Sequence, residues 1–147
     1  MNERSWPIRQ VVTAFLRHEG KILLLKRSDR VRTYRGRWAA VSGSLEAPTP
    51  LAQALREIRE ETGLGEADLC LVAAAPCQEV VDANLATRWL IHPFLFEVNG
   101  SPGIRLDWEH EESRWVEAAE LAHYRTVPAL AQVLAACLQT EADSRGD

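Results

Sequence analysis

The chain has 147 residues, 46% hydrophobic and 26% charged, a mix that suits one globular domain with one core. Its formal net charge of -4 gives no overall pull toward nucleic acid or an anionic membrane surface. The longest apolar runs, such as Leu71 to Pro76, are far too short to span a bilayer. Met1 to Arg9 is polar and charged, so it does not read as a signal peptide. Cys70, Cys77 and Cys137 show no Cys-x-x-Cys spacing. The expectation is a cytoplasmic protein with packed thiols, not a disulfide framework or a zinc site.

Ile8 to Arg17 alternates Val11, Thr13 and Phe15 against Val12, Ala14 and Leu16, with both faces largely apolar. That predicts a strand buried on both sides. Glu19-Gly20 turns the chain into a second strand, Lys21 to Lys26, making a hairpin. Ser28 to Arg37 is a basic loop. With Arg27 before it, it carries Arg30, Arg32, Arg35 and Arg37 against one acid, Asp29. Such a run either faces water or contacts phosphate, because a guanidinium fork matches phosphate oxygens. Trp38 to Val41 predicts a short strand, Ser42-Gly43-Ser44 a turn, and Leu45-Glu46 a brief return to pairing.

Thr49-Pro50 starts a helix, with Thr as N-cap and Pro at the first helical position. Gly63 ends it. At about 100° per residue, Leu51, Leu55, Ile58 and Thr62 fall within roughly 60° of one another and mark the expected buried stripe. Glu57, Glu60 and Glu61 fall on one flank, and Arg56 and Arg59 on the other. The acids thus stand together instead of alternating with arginines. Like charges three and four apart cost roughly 0.2–0.5 kcal/mol per pair. Anions near a helix C-terminus cost roughly 0.3–1 kcal/mol each. A divalent cation among the three would reverse those signs; a solvated acidic face is the alternative.

Leu69 to Ala75 predicts a strand, with Cys77 to Asp82 continuing beyond a break at Pro76. Thr87 to Val98 is the longest expected strand, and Pro93 inside it points to an edge position or a bulge. Ile104 to Leu106 and Ser113 to Val116 predict short strands around an acidic segment. Ala118 to Tyr124 contains a short helix. Val127 to Glu141 predicts a C-terminal helix with Leu130, Val133, Leu134, Cys137 and Leu138 on its apolar face. Asp143 to Asp147 reads as a frayed tail. No repeat or linker divides the chain, so residues 1–147 read as one mixed α/β domain, a sheet sandwiched by helices.

Arg56-Glu57-Ile58-Arg59-Glu60-Glu61-Thr62-Gly63-Leu64 resembles the helical half of the Nudix box. That pattern is Gly, five residues, Glu, seven residues, then Arg-Glu-U-x-Glu-Glu-x-Gly-U, with U aliphatic. Every specified position of the second half matches. The upstream strand, the basic loop, Trp38, and a later Glu before Trp115-Val116 also stand where the family has them. The first half departs. Counted back from Arg56, the family Glu falls on Pro48 and the family Gly on Ser42. Aligning Gly43 instead deletes one residue before Pro48. Either way the loop Glu is absent; Glu46 lies two residues upstream. Tyr34 to Trp38 with Val41 to Gly43, and Leu106 to Glu111, are similar to a less characterised Nudix subgroup.

The resemblance implies an α/β/α sandwich with a mixed central sheet. It also implies hydrolysis of the diphosphate linkage in a nucleoside diphosphate linked to another group, with Mg²⁺ as cofactor or Mn²⁺ in its place. Carried over by position, Glu57, Glu60 and Glu61 would be metal ligands, one of them could act as base, and Arg56 would orient a glutamate. Asp107, Glu109, Glu111 and Glu112 are candidates for a distal acid serving as base or further ligand. Glu109, six residues before Trp115, ranks first and Glu112 second; a solvated acidic turn is the alternative. Arg32, Arg35 and Arg37 are the expected substrate-binding residues. None of His18, His92, His110 and His123 has ligand spacing with another, and His110 adjoins Glu109, where it could tune it. A small nucleotide or nucleotide derivative is the expected partner, with no membrane or nucleic acid, and the family allows a homodimer. The missing loop Glu leaves room for a second reading, a catalytically weakened Nudix-fold nucleotide-binding or regulatory module. An RNA-end hydrolase is a third, which the net charge counts against and the basic loop could serve. The fold does not choose the substrate.

Overall fold

A strand that is apolar on both faces needs a helix layer on each side of its sheet. The computed structural model, which describes residues 2–146, has that arrangement. Its strands are β1 (Ile8–His18), β2 (Lys21–Arg27), β3 (Trp38–Ala39), β4 (Val41–Ser44), β5 (Leu69–Ala74), β6 (Gln78–Asp82), β7 (Thr87–Val98) and β8 (His110–Val116). The helices are α1 (Pro50–Thr62) and α2 (Leu130–Arg145), with short 3-10 turns at Glu3–Ser5, Glu66–Asp68 and Ala118–His123. The strands form one 8-stranded mixed sheet. Val12, Ala14, Leu16, Leu23, Leu25, Phe94 and Phe96 face α1 through Ala54 and Ile58. Phe15, Ile22, Leu24, Ile91 and Leu95 face α2 through Leu130, Val133, Leu134 and Cys137. Among the described residues no helix is long and apolar enough to cross a membrane.

The sheet is built on one parallel ladder, β1 with β7, from Ile8↔Arg88 to Arg17↔Glu97. Each member splits its outer edge between two strands. β1 pairs β2 at Arg17 and His18 and β4 from Val11 to Ala14. β7 pairs β6 from Thr87 to Ile91 and β5 from Phe94 to Val98. β2 continues away from β1 to pair β3 and β8. The β1–β2 turn has positive φ at both Glu19 (50°) and Gly20 (79°), the backbone of a tight two-residue hairpin.

Several expectations are corrected. Pro93 is neither on an edge strand nor in a bulge; β7 is central. Its carbonyl accepts the Ala75 N–H at 3.1 Å, so its nitrogen points the same way, into the gap between β5 and β6. No ladder bond is required there. Ser42–Ser44 is strand β4 and not a turn, because its backbone completes the edge that β1 leaves open; Leu45 N–H extends the contact to Gln10 O at 2.9 Å. Ile104 to Leu106 forms no strand. The Arg105 N–H is taken by the Thr62 carbonyl at the end of α1 (2.9 Å), and Ile104 and Leu106 pack on the α1-side core. Val127 lies in a bend outside the helix, its N–H donating to Trp38 O at 2.9 Å, and α2 begins only at Leu130. It then runs on to Arg145 through most of the expected tail, where Arg145 bonds Glu141 one turn back (2.9 Å); Asp147 lies outside the described residues.

One ionic cluster ties α2 to both strands of the central ladder. Arg17 on β1 meets Glu141 on α2 through two parallel bonds, 2.9 and 2.7 Å, and Glu97 on β7 at 2.8 Å. Arg17 holds the Glu141 carboxyl below its ordinary range. A carboxyl lowered on folding stabilises the native state above its unfolded value, and that contribution disappears as pH falls through the lowered one. Arg17→Ala strands a buried carboxylate that retains only Arg145, and is expected to cost about 2 kcal/mol at neutral pH, below the range for a fully buried pair. Urea denaturation should show the gap from wild type narrowing as pH drops below about 4; an undiminished gap at low pH would refute the electrostatic account.

Candidate functional site

Helix α1 starts and stops as its sequence requires. Thr49 Oγ1 accepts the Ala52 N–H at 3.1 Å, Pro50 occupies the first position, and Gly63 (φ 83°) closes the helix with its N–H on Arg59 O. The buried stripe is rotated from expectation. Leu51 is 37% exposed, and the buried residues are Gln53, Ala54, Glu57, Ile58, Glu61 and Thr62. Ile58 and Thr62 are where they were expected; two of the three acids have turned inward with them. The reason lies opposite, in β4. Gly43 has no side chain, and a Cβ there would overlap the Glu57 carboxyl. The next backbone N–H, that of Ser42, points at Glu61.

Glu61 is 1% exposed. Its Oε1 receives the Ser42 N–H at 3.4 Å and lies 3.7 Å from His110 Nε2. Its Oε2 is buried with no hydrogen-bond partner among the described residues. Glu57 accepts one bond, Gln53 Nε2 to Oε2 at 3.1 Å. Burial, and then the Glu60 charge, push the Glu57 carboxyl up to about 7, with the Gln53 amide pulling the other way. Burial pushes Glu61 well above the carboxylate range, helped by the charges of Glu57, Glu109 and Asp107. Burial and Asp107 likewise raise Glu109, and Arg27 opposes them. Glu60 is exposed beside this pair on α1. His110 is buried, with Nδ1 on Asp107 Oδ1 at 3.0 Å, and burial lowers its pKa.

Of these acids, Glu57 and Glu109 border a cleft of about 340 Å³ that opens where the sheet forks between β1, β4, β6 and β7. Glu57, Glu109, Glu46 and Arg27 form its charged end, and Val80, Trp89 and Ile91 are part of its apolar wall. Tyr34 (φ 52°) closes that wall from the basic loop. Its hydroxyl donates to Asp82 Oδ2 at 2.5 Å and accepts from Trp89 Nε1 at 3.1 Å.

Of the distal candidates, the structure brings Glu109 to the cleft. Glu112 bonds Arg114 (2.7 Å) and Glu111 pairs with Lys26 (3.4 Å) instead. Asp107 lies behind, holding His110 and the Glu109 N–H. From the basic segment the cleft wall takes Arg27 and not Arg32, Arg35 or Arg37. Arg35 is tied to Val31 O (2.6 Å), Arg37 lies over the Tyr34 ring and reaches Thr126 O (3.3 Å), and Arg32 is exposed. Arg56 is exposed; the side chain that bonds Glu57 is Gln53. Sequence reasoning passed over Gln53, and it counted Arg27 in the basic run without choosing it among the substrate-binding residues. Gln53 stands one turn before Glu57 on α1, a spacing that signals contact, and Arg27 ends the strand that leads into the site.

Among the described residues no three His, Cys, Asp or Glu side chains already stand at metal-binding distance. The donor set nevertheless fits a hard divalent cation. It is all carboxylate oxygen, the preferred ligand of such ions. One buried oxygen, Glu61 Oε2, lacks a partner. The raised proton affinity of Glu57 and Glu61 comes first from burial and then from neighbouring carboxylates, and a cation would oppose both.

The family model for the NUDIX domain matches residues 7–137. The nucleoside triphosphatase NudI of Escherichia coli O139:H28 is 28% identical over 125 residues, covering 79% of this chain and 86% of that protein. Two solved structures share the fold. RenU, a Nudix hydrolase of M. smegmatis, superposes with a TM-score of 0.71 at 22% identity, over 96% of this chain and 88% of its own. A bifunctional NMN adenylyltransferase/ADP ribose pyrophosphatase of Francisella tularensis, complexed with AMP and a Mn ion, gives 0.73 at 20%, over 91% of this chain and 42% of its own. With the matched residues running from the start of the central ladder through α1 and into α2, the chain belongs to the NUDIX domain family and is a Nudix-type hydrolase.

Proposed function

We propose that the chain is a Mg²⁺-dependent hydrolase, with Mn²⁺ as an alternative ion, that cleaves the diphosphate linkage of a nucleotide or nucleotide derivative. The observation that carries this is the buried, unpartnered Oε2 of Glu61, one turn from Glu57, which lines a cleft that also has an apolar and aromatic wall. Glu57, Glu60 and Glu61 would hold the ion. When bound, it neutralises phosphate charge and lowers the pKa of water. Glu109, on the cleft wall, takes a proton from the attacking water. Arg27 sits at the same end, where its guanidinium can face phosphate oxygens. Trp89, Val80 and Ile91 offer a dry surface on which a base can stack. A cytoplasmic setting belongs to the same reading.

A panel of nucleoside triphosphates, sugar nucleotides, dinucleoside polyphosphates and coenzymes with Mg²⁺ or Mn²⁺ tests it. Turnover is expected for at least one and should stop with EDTA. Saturable binding without turnover of any would instead make the chain a binding module. On the substrate found, Glu109→Gln is expected to lower kcat by about 10²–10⁴-fold, the usual worth of a general base. Glu60→Gln, exposed and without a structural bond, should lower activity by at least the 10–100-fold typical of disturbed metal sites with an unchanged melting temperature. Full activity in either variant would remove that residue from the site. Gly43→Ala places a methyl group where the Glu57 carboxyl lies. Gly43 is not among the glycines with positive φ, so activity should fall much further than stability, read as kcat against melting temperature.

A further inference from the structure

We infer that Gln53 is a positioning residue whose buried carboxamide clamps the Glu46–Ala47 loop to Glu57 and fixes the orientation in which Glu57 meets a cation. Gln53 is 1% exposed. Its Oε1 accepts the backbone N–H of Glu46 at 2.9 Å and of Ala47 at 2.7 Å, and its Nε2 donates to Glu57 Oε2 at 3.1 Å. The chemistry dictates that orientation. Two backbone donors require the carbonyl oxygen on the loop side, and a carboxylate requires the N–H on the other. Leu or Met at this position would leave both partners unmet. Glu would set a second carboxylate against Glu57. Only a long carboxamide satisfies both ends.

Two consequences follow for the site, and both rest on the proposed role of Glu57 as a cation ligand. With one bond on Oε2, the oxygen over Gly43, Oε1, is the one with no hydrogen bond, so the amide fixes the carboxylate with Oε1 presented first to the ion. The same amide makes the loop part of the site's frame. Glu46 lines the cleft, and Pro48 brings no acid of its own, so the loop acts on the carboxylates through Gln53.

The test is Mn²⁺ titration of the full chain without nucleotide, with free ion read by electron paramagnetic resonance. The variants are Gln53→Met, which keeps the length and loses both polar ends, and Gln53→Asn, which keeps the amide and is one methylene too short to span loop and Glu57. Wild type should bind saturably, and both variants should bind on the order of 10-fold more weakly while circular dichroism shows the native fold. Amide exchange at Glu46 and Ala47 should speed up in the same samples. A purely structural role would lower the melting temperature and leave Mn²⁺ affinity unchanged. Equal affinity in a folded variant, or loss of folding in both, overturns the positioning role and leaves the cation reading intact. No Mn²⁺ binding by wild type overturns both.

Discussion

Val12 stands opposite His92 and Leu16 opposite Phe96 in the parallel ladder of β1 and β7, and the rest of the molecule is arranged by that pairing. Both strands are apolar on both faces, so each face needs a helix. α1 covers Val12, Ala14, Leu16, Phe94 and Phe96, and α2 covers Phe15, Ile91 and Leu95. Neither strand can be served by one neighbour along its whole outer edge. β2 leaves β1 after Arg17 and His18 to meet β8, and β4 fills the vacated edge. β5 and β6 divide the outer edge of β7 at Pro93, the one residue that cannot donate a ladder bond. The cleft lies where these forks open.

The acids of α1 depend on this placement. β4 presents Gly43 and the Ser42 N–H to the helix, a surface that accepts carboxylates where an ordinary strand would present apolar side chains. Burial of Glu57 and Glu61 is costly, since each lies in low dielectric near other negative charges. The structure compensates only in part, with Gln53 on Glu57 and Ser42 on Glu61. The uncompensated remainder is the physical basis for a cation site, and it is concentrated where the family motif stands.

Charge handling elsewhere in the chain is different. Arg17 with Glu97 and Glu141 is a satisfied cluster: its acids are paired and the lowered Glu141 carboxyl reflects it. It joins α2 to the central ladder, and none of its three residues lines the cleft that holds Glu57. The contrast separates an ionic network that stabilises from a group of carboxylates held at a cost. The basic loop divides in the same way. Arg35 and Arg37 are spent on backbone carbonyls and the Tyr34 ring, which shapes the loop, and Arg27 is the arginine of that segment that lines the cleft.

Alternation in β1, β2 and β7, the Thr49-Pro50 start and Gly63 stop of α1, and the match from Arg56 to Leu64 are local properties, set by bonded geometry and side-chain spacing. From them follow the mixed α/β class, the ends of α1, the long strands and the family. Tertiary structure decided what depends on the opposing surface. Helical spacing places Glu57 and Glu61 on a flank, yet the absence of a side chain at Gly43 makes room for Glu57 and the Ser42 N–H meets Glu61. Ile104 to Leu106 has strand-forming residues, yet the Thr62 carbonyl takes the Arg105 N–H. The spacing of Gln53 from Glu57 signals contact between them, but its clamp on the loop shows only once the Glu46 and Ala47 amides are seen at its other end. Such choices rest on contacts between residues far apart in the chain, and periodicity contains no term for a partner it cannot see.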